Sequence, residues 1–426
     1  MRRFPLFIAI GALCAAPAAA QTIDVHAGRL IDPGSVKVLA DQRIRIVDGR
    51  IASVAPWRAS DGPAAIDWSG YTVLPGLIDL HTHLADGAVD DEANDPAAPL
   101  KHSEAMTILR GAAAARTELR SGFTTVRDVG VYRGLTDVAL RDAINEGDVE
   151  GPRMFVAGGY ITTPGGGGEI DALAPDIPLP ETFRIGEVRN ASEARDRARY
   201  LLDHGADFIK LIATGAVLAL GSEPGALELS PEEMKAACDE ARLRGSYCIA
   251  HAHGAEGIKA AIRAGVRTIE HASYLDAEGI ALAKARGVWL DMDIYNGDWI
   301  EEVGTRQGWP AEYLRKNRET TDVQRRGFAA AVKAGAKLTF GTDAGVYRYG
   351  LGARQFAYMV RYGMTPIQAI QSATSEAAKA LGKEGEVGSL APGAYGDLIA
   401  VKGDPLTDIR LLEHVEGVVK GGQLVR

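Results

Sequence analysis

Histidine and aspartate residues recur at the ends of apolar runs along this sequence. His81 and His83 close one run, and His251, His271 and Asp343 follow three later runs. In an extended strand, residues i and i+2 point to the same face, so the imidazoles of His81 and His83 can point toward one ion. Imidazole nitrogens and a carboxylate suit zinc or a similar divalent ion. These residues therefore predict a metal centre rather than scattered structural histidines.

A lysine interrupts another apolar run. Lys210 lies within residues 208–212, where a buried lysine without a carboxylate partner is costly. One interpretation is an internal ion pair with Asp207 or Glu270. The other is that carbon dioxide adds to the amine of Lys210, giving a carbamate whose two oxygens bridge two metal ions. Neighbouring cations would favour that anionic form, and the sequence leaves both interpretations open.

Alternating strands and helices are needed to position these residues. Short apolar runs recur through the middle of the chain, and each precedes a helical stretch rich in Ala, Leu and Arg. Eight such pairs predict an α/β fold, a (β/α)8 TIM barrel, rather than an open doubly wound sheet. Barrel enzymes keep their active sites at the carboxyl ends of the strands. The candidate strands end at His83, Asp128, Ala157, Ile212, His251, His271, Asp293 and Asp343.

Further β-like runs flank the barrel region at both ends of the chain. Turn signals such as Asp48-Gly49 and Gly421-Gly422 separate these runs. We expect the two ends to pair in one small β-sandwich domain, formed by residues 21–73 and 385–426. Residues 74–384 then form the barrel.

The first twenty residues have the features of a secretory signal peptide. Arg2 and Arg3 form a charged start, residues 4–16 are mostly apolar, and the three alanines at 18–20 suit a cleavage site. The alternative is a buried N-terminal strand, but the run ends in a small-residue cleavage pattern. We therefore expect a mature protein that begins near Gln21 and is periplasmic or secreted.

The composition limits the classes of protein and partner. The 426 residues are 46% hydrophobic, which suits one large core with a smaller satellite and excludes a disordered or fibrous chain. The formal charge is -9 and no block of Lys or Arg stands out, so nothing indicates a nucleic-acid or membrane partner. Cys238 and Cys248 are more typical of two buried thiols than of a required disulfide. The expected partner is a small molecule.

The candidate site residues lie within longer motifs. Across nearly the whole mature chain these motifs resemble the metal-dependent amidohydrolase superfamily. Within it, the sequence is similar to the binuclear branch of Xaa-Pro and other dipeptidases, carboxypeptidase-like enzymes and ochratoxin A-hydrolysing amidohydrolases. The motifs are Pro75-Gly76-Leu77-Ile78-Asp79-Leu80-His81-Thr82-His83, Lys210, His251-Ala252-His253, Glu270-His271 and Gly341-Thr342-Asp343-Ala344-Gly345, with Leu390-Ala391-Pro392-Gly393, Asp397-Leu398 and Gly403-Asp404-Pro405 near the C-terminus.

The resemblance implies a role for each candidate residue. Two divalent ions, zinc in this interpretation, activate a water that attacks an amide carbonyl. Asp343 also moves a proton from that water to the leaving nitrogen, and His253 points at the substrate carbonyl. The implied metal ligands are His81, His83 and Asp343 for one ion, His251 and His271 for the other, and N-carboxylated Lys210 as the bridge.

Substrate contacts are less specific. Tyr295 follows the seventh strand, and Arg348, in the run Val346-Tyr347-Arg348, could bind a carboxylate through its planar guanidinium. The long segment 158–183 contains four consecutive glycines, Gly165 to Gly168, and is either a lid or an insertion without substrate contact. Superfamily members often carry a histidine where Gly167 stands, which is a departure that bears on specificity. The other histidines, His26, His102, His204 and His414, are read as structural or surface residues.

The leading hypothesis is hydrolysis of an N-acyl amino acid or dipeptide. The specific substrate we expect is ochratoxin A, an amide that would yield ochratoxin alpha and phenylalanine. An alternative is a mononuclear deaminase or cyclic-amide hydrolase such as an imidazolonepropionase-like enzyme, against which Lys210 argues. Another is a non-catalytic periplasmic binding protein, against which the complete ligand set argues. The resemblance also implies a homo-oligomer.

Overall fold

The computed structural model describes residues 21–86, 95–170, 173–174 and 176–426, so the predicted signal peptide at residues 1–20 lies outside the described residues. Sixteen strands and eleven α-helices form within these ranges. The strands are β1 Thr22–Asp32, β2 Lys37–Val47, β3 Arg50–Pro56, β4 Ile66–Pro75, β5 Leu77–Thr82, β6 Phe123–Asp128, β7 Arg153–Val156, β8 Tyr160–Ile161, β9 Ile209–Ile212, β10 Cys248–Ala252, β11 Thr268–His271, β12 Trp289–Asp291, β13 Leu338–Thr339, β14 Leu398–Val401, β15 Val415–Lys420 and β16 Gln423–Leu424. The helices are α1 Glu104–Arg120, α2 Thr136–Glu146, α3 Ala191–Asp203, α4 Pro231–Leu243, α5 Ala255–Ala264, α6 Ala277–Arg286, α7 Asn296–Gln307, α8 Ala311–Lys333, α9 Gln355–Arg361, α10 Pro366–Ser372 and α11 Ser375–Leu381.

Strands β5 to β13 form the barrel, which confirms the predicted TIM-barrel fold. They lie in two parallel sheets, β5-β6-β7 and β8-β9-β10-β11-β12-β13. The third barrel strand is divided, because β7 pairs with β6 and β8 pairs with β9. Between β5 and β13, Leu80 N donates to Phe340 O at 2.9 Å and Asp343 N donates to His81 O at 2.8 Å. These two bonds close the barrel.

Several barrel strands end earlier than the sequence indicated. β13 ends at Thr339 rather than Asp343, and β12 ends at Asp291 rather than Asp293. Asp343 adopts a left-handed φ of 60°, which is incompatible with a regular strand. Val346 N then donates to Asp343 O at 3.1 Å in a turn. The ends of these runs therefore curve over the mouth of the barrel instead of continuing the sheet.

The two ends of the chain meet in a separate sheet. Its seven strands have the order β16-β15-β14-β4-β1-β2-β3. β14 pairs with β4 in antiparallel orientation, so the C-terminal strands continue the N-terminal ones. Val25, Ile44, Trp68 and Leu398 are among the residues of its own buried core. Since only Gly76 separates β4 from β5, this sheet fixes the start of the first barrel strand.

The helices surround the barrel and are bounded by the expected signals. Ser230 and Glu233 form a capping box that begins α4, with Pro231 at its first position. Gly265 ends α5 with a φ of 98°, a conformation that costs glycine little. Cys238 on α4 is a buried free thiol, as is the cysteine at the start of β10. No helix within the described ranges has the length and apolar character needed to cross a membrane.

Glu118 is a buried acid on α1 that holds the segment after β13. Its Oε1 accepts from Gly350 N at 2.8 Å, where Gly350 has a φ of 84°. Burial raises the pKa of Glu118 to about 7 from an ordinary value of 4.5, although hydrogen bonds from Gly350 and Ser121 oppose this rise. The folded protein therefore retains a proton that the unfolded chain releases. This group lowers the free energy of unfolding as pH rises from about 4.5 through 7.

We expect Glu118→Gln to raise stability in alkaline but not in acidic solution. Glutamine keeps the acceptor for Gly350 N and removes the cost of burying a charge. The gain should reach roughly 1–3 kcal/mol at pH 8 and disappear near pH 5. Urea unfolding of both proteins at the two pH values measures this difference. An equal gain at both values would contradict the assignment of the effect to ionisation.

Candidate metal centre

The barrel mouth brings the first three candidate ligands together. His81 lies on β5, while His83 and Asp343 lie just beyond β5 and β13. Asp343 Oδ1 is 3.4 Å from His81 Nε2 and 3.2 Å from His83 Nε2. One donor atom from each of the three side chains lies within 4.8 Å of the other two. Two nitrogens and an oxygen at this spacing fit one divalent ion.

A second group of donors adjoins the first. His251 lies in β10, one residue before its end, and His271 ends β11. Their ring centroids are 4.6 Å apart. His253 joins them, with one nitrogen from each imidazole within 4.8 Å of the others. The ring of His271 is also 4.8 Å from the ring of His81. The two groups are therefore continuous and fit two neighbouring ions.

Lys210 lies on β9 and lines the same cavity. Its side chain is buried, and burial lowers its pKa to about 8, although Glu270 and Asp343 oppose this effect. The two acids considered as ion-pair partners are engaged elsewhere. Asp207 binds Arg141 at 3.0 Å, and Glu270 binds Arg127 at 3.0 Å. These two contacts leave the amine of Lys210 unoccupied by either acid, and its lowered pKa makes the neutral form more accessible than in an ordinary lysine.

Carboxylates orient two of the imidazoles. His81 Nδ1 is 3.1 Å from Glu270 Oε2, and His271 Nδ1 is 3.0 Å from Asp293 Oδ1. Glu270 is held in turn by the fully buried Arg127, whose Nε donates to the backbone of β5. A partner at Nδ1 fixes the ring and leaves Nε2 for an ion. This arrangement is the usual one around histidine ligands.

Neutral groups orient two other imidazoles. His83 Nδ1 lies 3.0 Å from Gly130 O, so it donates there and presents Nε2 to the first group. His253 Nδ1 lies 2.7 Å from the Ser273 hydroxyl. If the hydroxyl donates, His253 carries its proton on Nε2 and can donate it onward.

The surroundings keep most of these rings neutral. Burial lowers the pKa of His81 well below its ordinary value, and Lys210 adds to this effect. Burial likewise lowers the pKa of His251 and of His253, with neighbouring imidazoles contributing. Burial also opposes the charged form of His271, but Asp293 outweighs it and the pKa of His271 is raised. Neutral imidazole is the form that binds a metal ion.

A cavity opens above this cluster. Its polar wall includes the imidazoles, Lys210, Asp343 and Asn296. Its apolar wall includes Ile212, Leu218, Ile300 and Val346. The cavity therefore has room for a small molecule with an apolar group next to the donor cluster.

This combination of barrel, donor groups and cavity agrees with the comparisons with known proteins. A family model described as "Amidohydrolase family" matches residues 72–425. The chain belongs to the amidohydrolase family. It is a hydrolase that acts on amide bonds, and enzymes of this family generally use divalent metal ions.

Individual relatives resemble this amidohydrolase over almost its full length. The ochratoxinase of Aspergillus niger is 32% identical, with 96% of this chain and 87% of the relative covered. The crystal structure of a Xaa-Pro dipeptidase with bound methionine gives a TM-score of 0.86 at 37% identity, covering 95% of this chain and 99% of the other. The crystal structure of A. niger ochratoxinase gives 0.84 at 30% identity, covering 96% of both chains.

Two of the predicted ligand positions have a strained backbone. His271 has a φ of 66° and Asp343 a φ of 60°, a region that residues other than glycine rarely adopt. Each such residue costs of order 1–3 kcal/mol and persists only where the surrounding structure enforces it. Such strain is common at functional sites, and here it coincides with the predicted ligands.

The structure does not bring Tyr295 or Arg348 to the cavity wall of the amidohydrolase. Tyr295 is buried, and its hydroxyl accepts from Arg354 Nη1 at 3.0 Å. Its ring packs against Tyr347 and Tyr358 instead. Arg348 is exposed on the segment after Asp343. The turn before α7 therefore places Tyr295 among aromatic side chains rather than among the cavity-lining residues, and the structure gives no support to the two predicted substrate contacts.

The glycine-rich segment lies against the next loop. Gly167 lines the cavity, and its N–H donates to Glu228 Oε2 at 2.8 Å. The other oxygen of Glu228 accepts from Ser222 Oγ at 2.7 Å. A Cβ at position 167 would lie 2.8 Å from Ala216 Cβ, which is too close and explains the glycine at this position. Sequence reasoning missed Glu228, because no spacing signal connects it to residue 167.

Three further polar residues of the site were also missed as functional groups. Ser273 orients His253, and Asp293 orients His271. Asn296, at the start of α7, binds two carboxylates. Asp293 had a usable signal in its position at a strand end. Ser273 and Asn296 follow strands by a few residues and carry no motif of their own.

Proposed function

We propose that this amidohydrolase is a binuclear enzyme that cleaves the amide bond of an N-acyl amino acid or dipeptide. The observation that carries the proposal is that two adjoining donor groups and the buried amine of Lys210 line one cavity. The ligands of one ion would be His81, His83 and Asp343, and those of the other would be His251 and His271. Carboxylated Lys210 would bind both ions. When bound, the two ions, zinc in this proposal, would activate a water and polarise the amide carbonyl.

Asp343 moves the proton in this scheme. Its Oδ1 faces His81 and His83, so the carboxylate borders the space in which the attacking water must lie. A carboxylate can accept the proton of that water and pass it to the leaving nitrogen, which would otherwise depart as an unstable amide anion. The scissile bond must therefore lie beside Asp343.

His253 stabilises the carbonyl oxygen in this scheme. With Ser273 donating to Nδ1, the imidazole can donate from Nε2 to the oxygen on which negative charge develops. We expect His253→Ala to lower kcat by about 10²-fold with both ions retained. Steady-state kinetics with zinc analysis measure this. His204→Ala, which removes a histidine at the end of α3, should leave kcat unchanged, and full activity of His253→Ala would contradict the assigned role.

The substrate proposal is ochratoxin A, cleaved to ochratoxin alpha and phenylalanine. Its support is the full-length similarity to a protein named ochratoxinase and the apolar cavity wall of Ile212, Leu218, Ile300 and Val346. The similarity to a Xaa-Pro dipeptidase supports the broader class of dipeptides. One substrate panel separates the two: dipeptides including Xaa-Pro, N-acyl amino acids and ochratoxin A. Absence of phenylalanine release from the toxin would remove the specific proposal, and absence of any amide hydrolysis would remove the class.

We also propose that the protein is exported and assembles as a homo-oligomer. The support for export is the pattern of residues 1–20, with its charged start and alanine-rich end. N-terminal sequencing of protein from the periplasm or medium should give a start near Gln21. Light scattering of the mature chain should give a mass above one copy, 45.1 kDa for the full sequence.

A further inference from the structure

Asn296 links the two halves of the donor cluster. It is the first residue of α7, and its side chain is buried. Its Nδ2 donates to Asp343 Oδ2 at 2.9 Å and to Asp293 Oδ2 at 3.0 Å. Asp343 belongs to the first donor group, and Asp293 orients His271 in the second. One amide group therefore contacts a side chain from each half.

The orientation of this amide follows from its partners. Both contacts are carboxylate oxygens, which accept hydrogen bonds when ionised. Only the NH2 group of asparagine can donate to both, so exchanging its oxygen and nitrogen would replace two attractive contacts by two repulsive ones. Among the described residues, Asn296 Oδ1 has no hydrogen-bond partner although it is buried. An unsatisfied buried acceptor costs about 1–3 kcal/mol. The amide therefore satisfies both carboxylates while its own oxygen lowers the stability of the fold.

These bonds determine the rotation of the Asp343 carboxylate. With Oδ2 held by Asn296, Oδ1 faces His81 at 3.4 Å and His83 at 3.2 Å. Asp293 is fixed similarly, because Oδ2 binds Asn296 while Oδ1 binds His271 and Gln324. Loss of the amide would remove the hydrogen bond to Oδ2 of each carboxylate, which would free Asp343 to rotate and would leave Asp293 held only through Oδ1.

We propose that Asn296 is a positioning residue that holds Asp343 in the rotation needed for proton transfer and couples it to the His271 half of the site. This inference rests on the proposed function, since Asp343 acts on a proton only if the enzyme hydrolyses an amide. Asn296 touches no reacting atom in this account. It acts through Asp343 and, by way of Asp293, through His271.

The test is a double-mutant cycle with zinc-saturated enzyme. Asn296→Ala should lower kcat by roughly 10–100-fold and change KM by less than about threefold. Asn296→Asp should be worse, since it places a third carboxylate against two others. In an Asp343→Asn background, Asn296→Ala should have little further effect, because the residue through which it acts is already disabled. Asn190→Ala, which removes the cap of α3, controls for a general loss of stability.

Two results would overturn the inference. One is full kcat for Asn296→Ala with zinc bound. The other is an equal loss of kcat on adding Asn296→Ala to the wild type and to Asp343→Asn, which would mean that Asn296 does not act through Asp343. A second readout does not depend on turnover: competition with a chelator should show zinc affinity lowered by about 10-fold or more in Asn296→Ala. If the wild type hydrolyses no amide, the proposed function fails. The zinc affinity of Asn296→Ala then tests the coupling between the two halves by itself, and an affinity equal to that of the wild type would refute it.

Discussion

Asp343→Asn should lower kcat by about 10³-fold while leaving the fold intact. Asparagine has the same shape and tolerates the left-handed φ of 60° at this position, so the backbone strain does not increase. It also keeps an oxygen that can accept from Asn296 Nδ2. It has no carboxylate to take a proton from water and return it to the leaving nitrogen, a contribution worth 10²–10⁴-fold. Steady-state kinetics and zinc content of the same preparation measure the effect.

A surface variant provides the control for Asp343→Asn. Asp196→Asn, on the exposed side of α3, makes the same chemical change far from the cavity and should keep full activity. Full turnover of Asp343→Asn with zinc bound would show that another group moves the proton. A loss of zinc together with the loss of turnover would assign Asp343 to binding alone.

Lys210→Ala should abolish bridging and lower turnover by at least about 10²-fold. Alanine provides no amine to carboxylate, so the two donor groups would lose the anion between them. A small carboxylate such as formate or acetate should restore part of the activity, because it can occupy the space left by the lysine side chain. Lys210→Arg should remain inactive, since its guanidinium forms no carbamate. Activity unchanged in either variant would exclude a bridging role.

A second buried lysine controls for the loss of a buried cation. Lys316 on α8 is fully buried, but its Nζ donates to Ser222 O at 2.9 Å and pairs with Glu312 at 3.0 Å. Lys316→Ala should therefore destabilise the fold while keeping the zinc content of the wild type. If both lysine variants lost zinc equally, the loss would reflect general destabilisation rather than a missing ligand.

The sequence was sufficient to predict the barrel and which residues lie together at its mouth, because both leave local signals. Apolar runs lead into His83, His251 and Asp343, which places these residues in or shortly after a strand, and residues two apart on a strand must share a face. The pairing of the two chain ends also left a signal, in the β-like runs on both sides of the barrel. The sequence therefore indicated correctly which residues lie at the barrel mouth.

The parts that could not be predicted depend on contacts between distant segments. Glu228 reaches Gly167 across 61 positions, and Asn296 reaches Asp343 across 47, with no spacing rule for either. Tyr295 was expected at the cavity because it follows a strand, yet a few residues of turn direct it toward Arg354. Side-chain direction beyond a strand end is determined by tertiary packing, which a single sequence does not encode locally.

The number of zinc ions per chain in active enzyme tests the central claim most directly. Metal analysis of dialysed protein, paired with amide hydrolysis on the same sample, should give two ions and turnover that is lost with a chelator and restored by zinc. A fully active enzyme with one ion per chain would contradict the binuclear site and favour a mononuclear deaminase or cyclic-amide hydrolase.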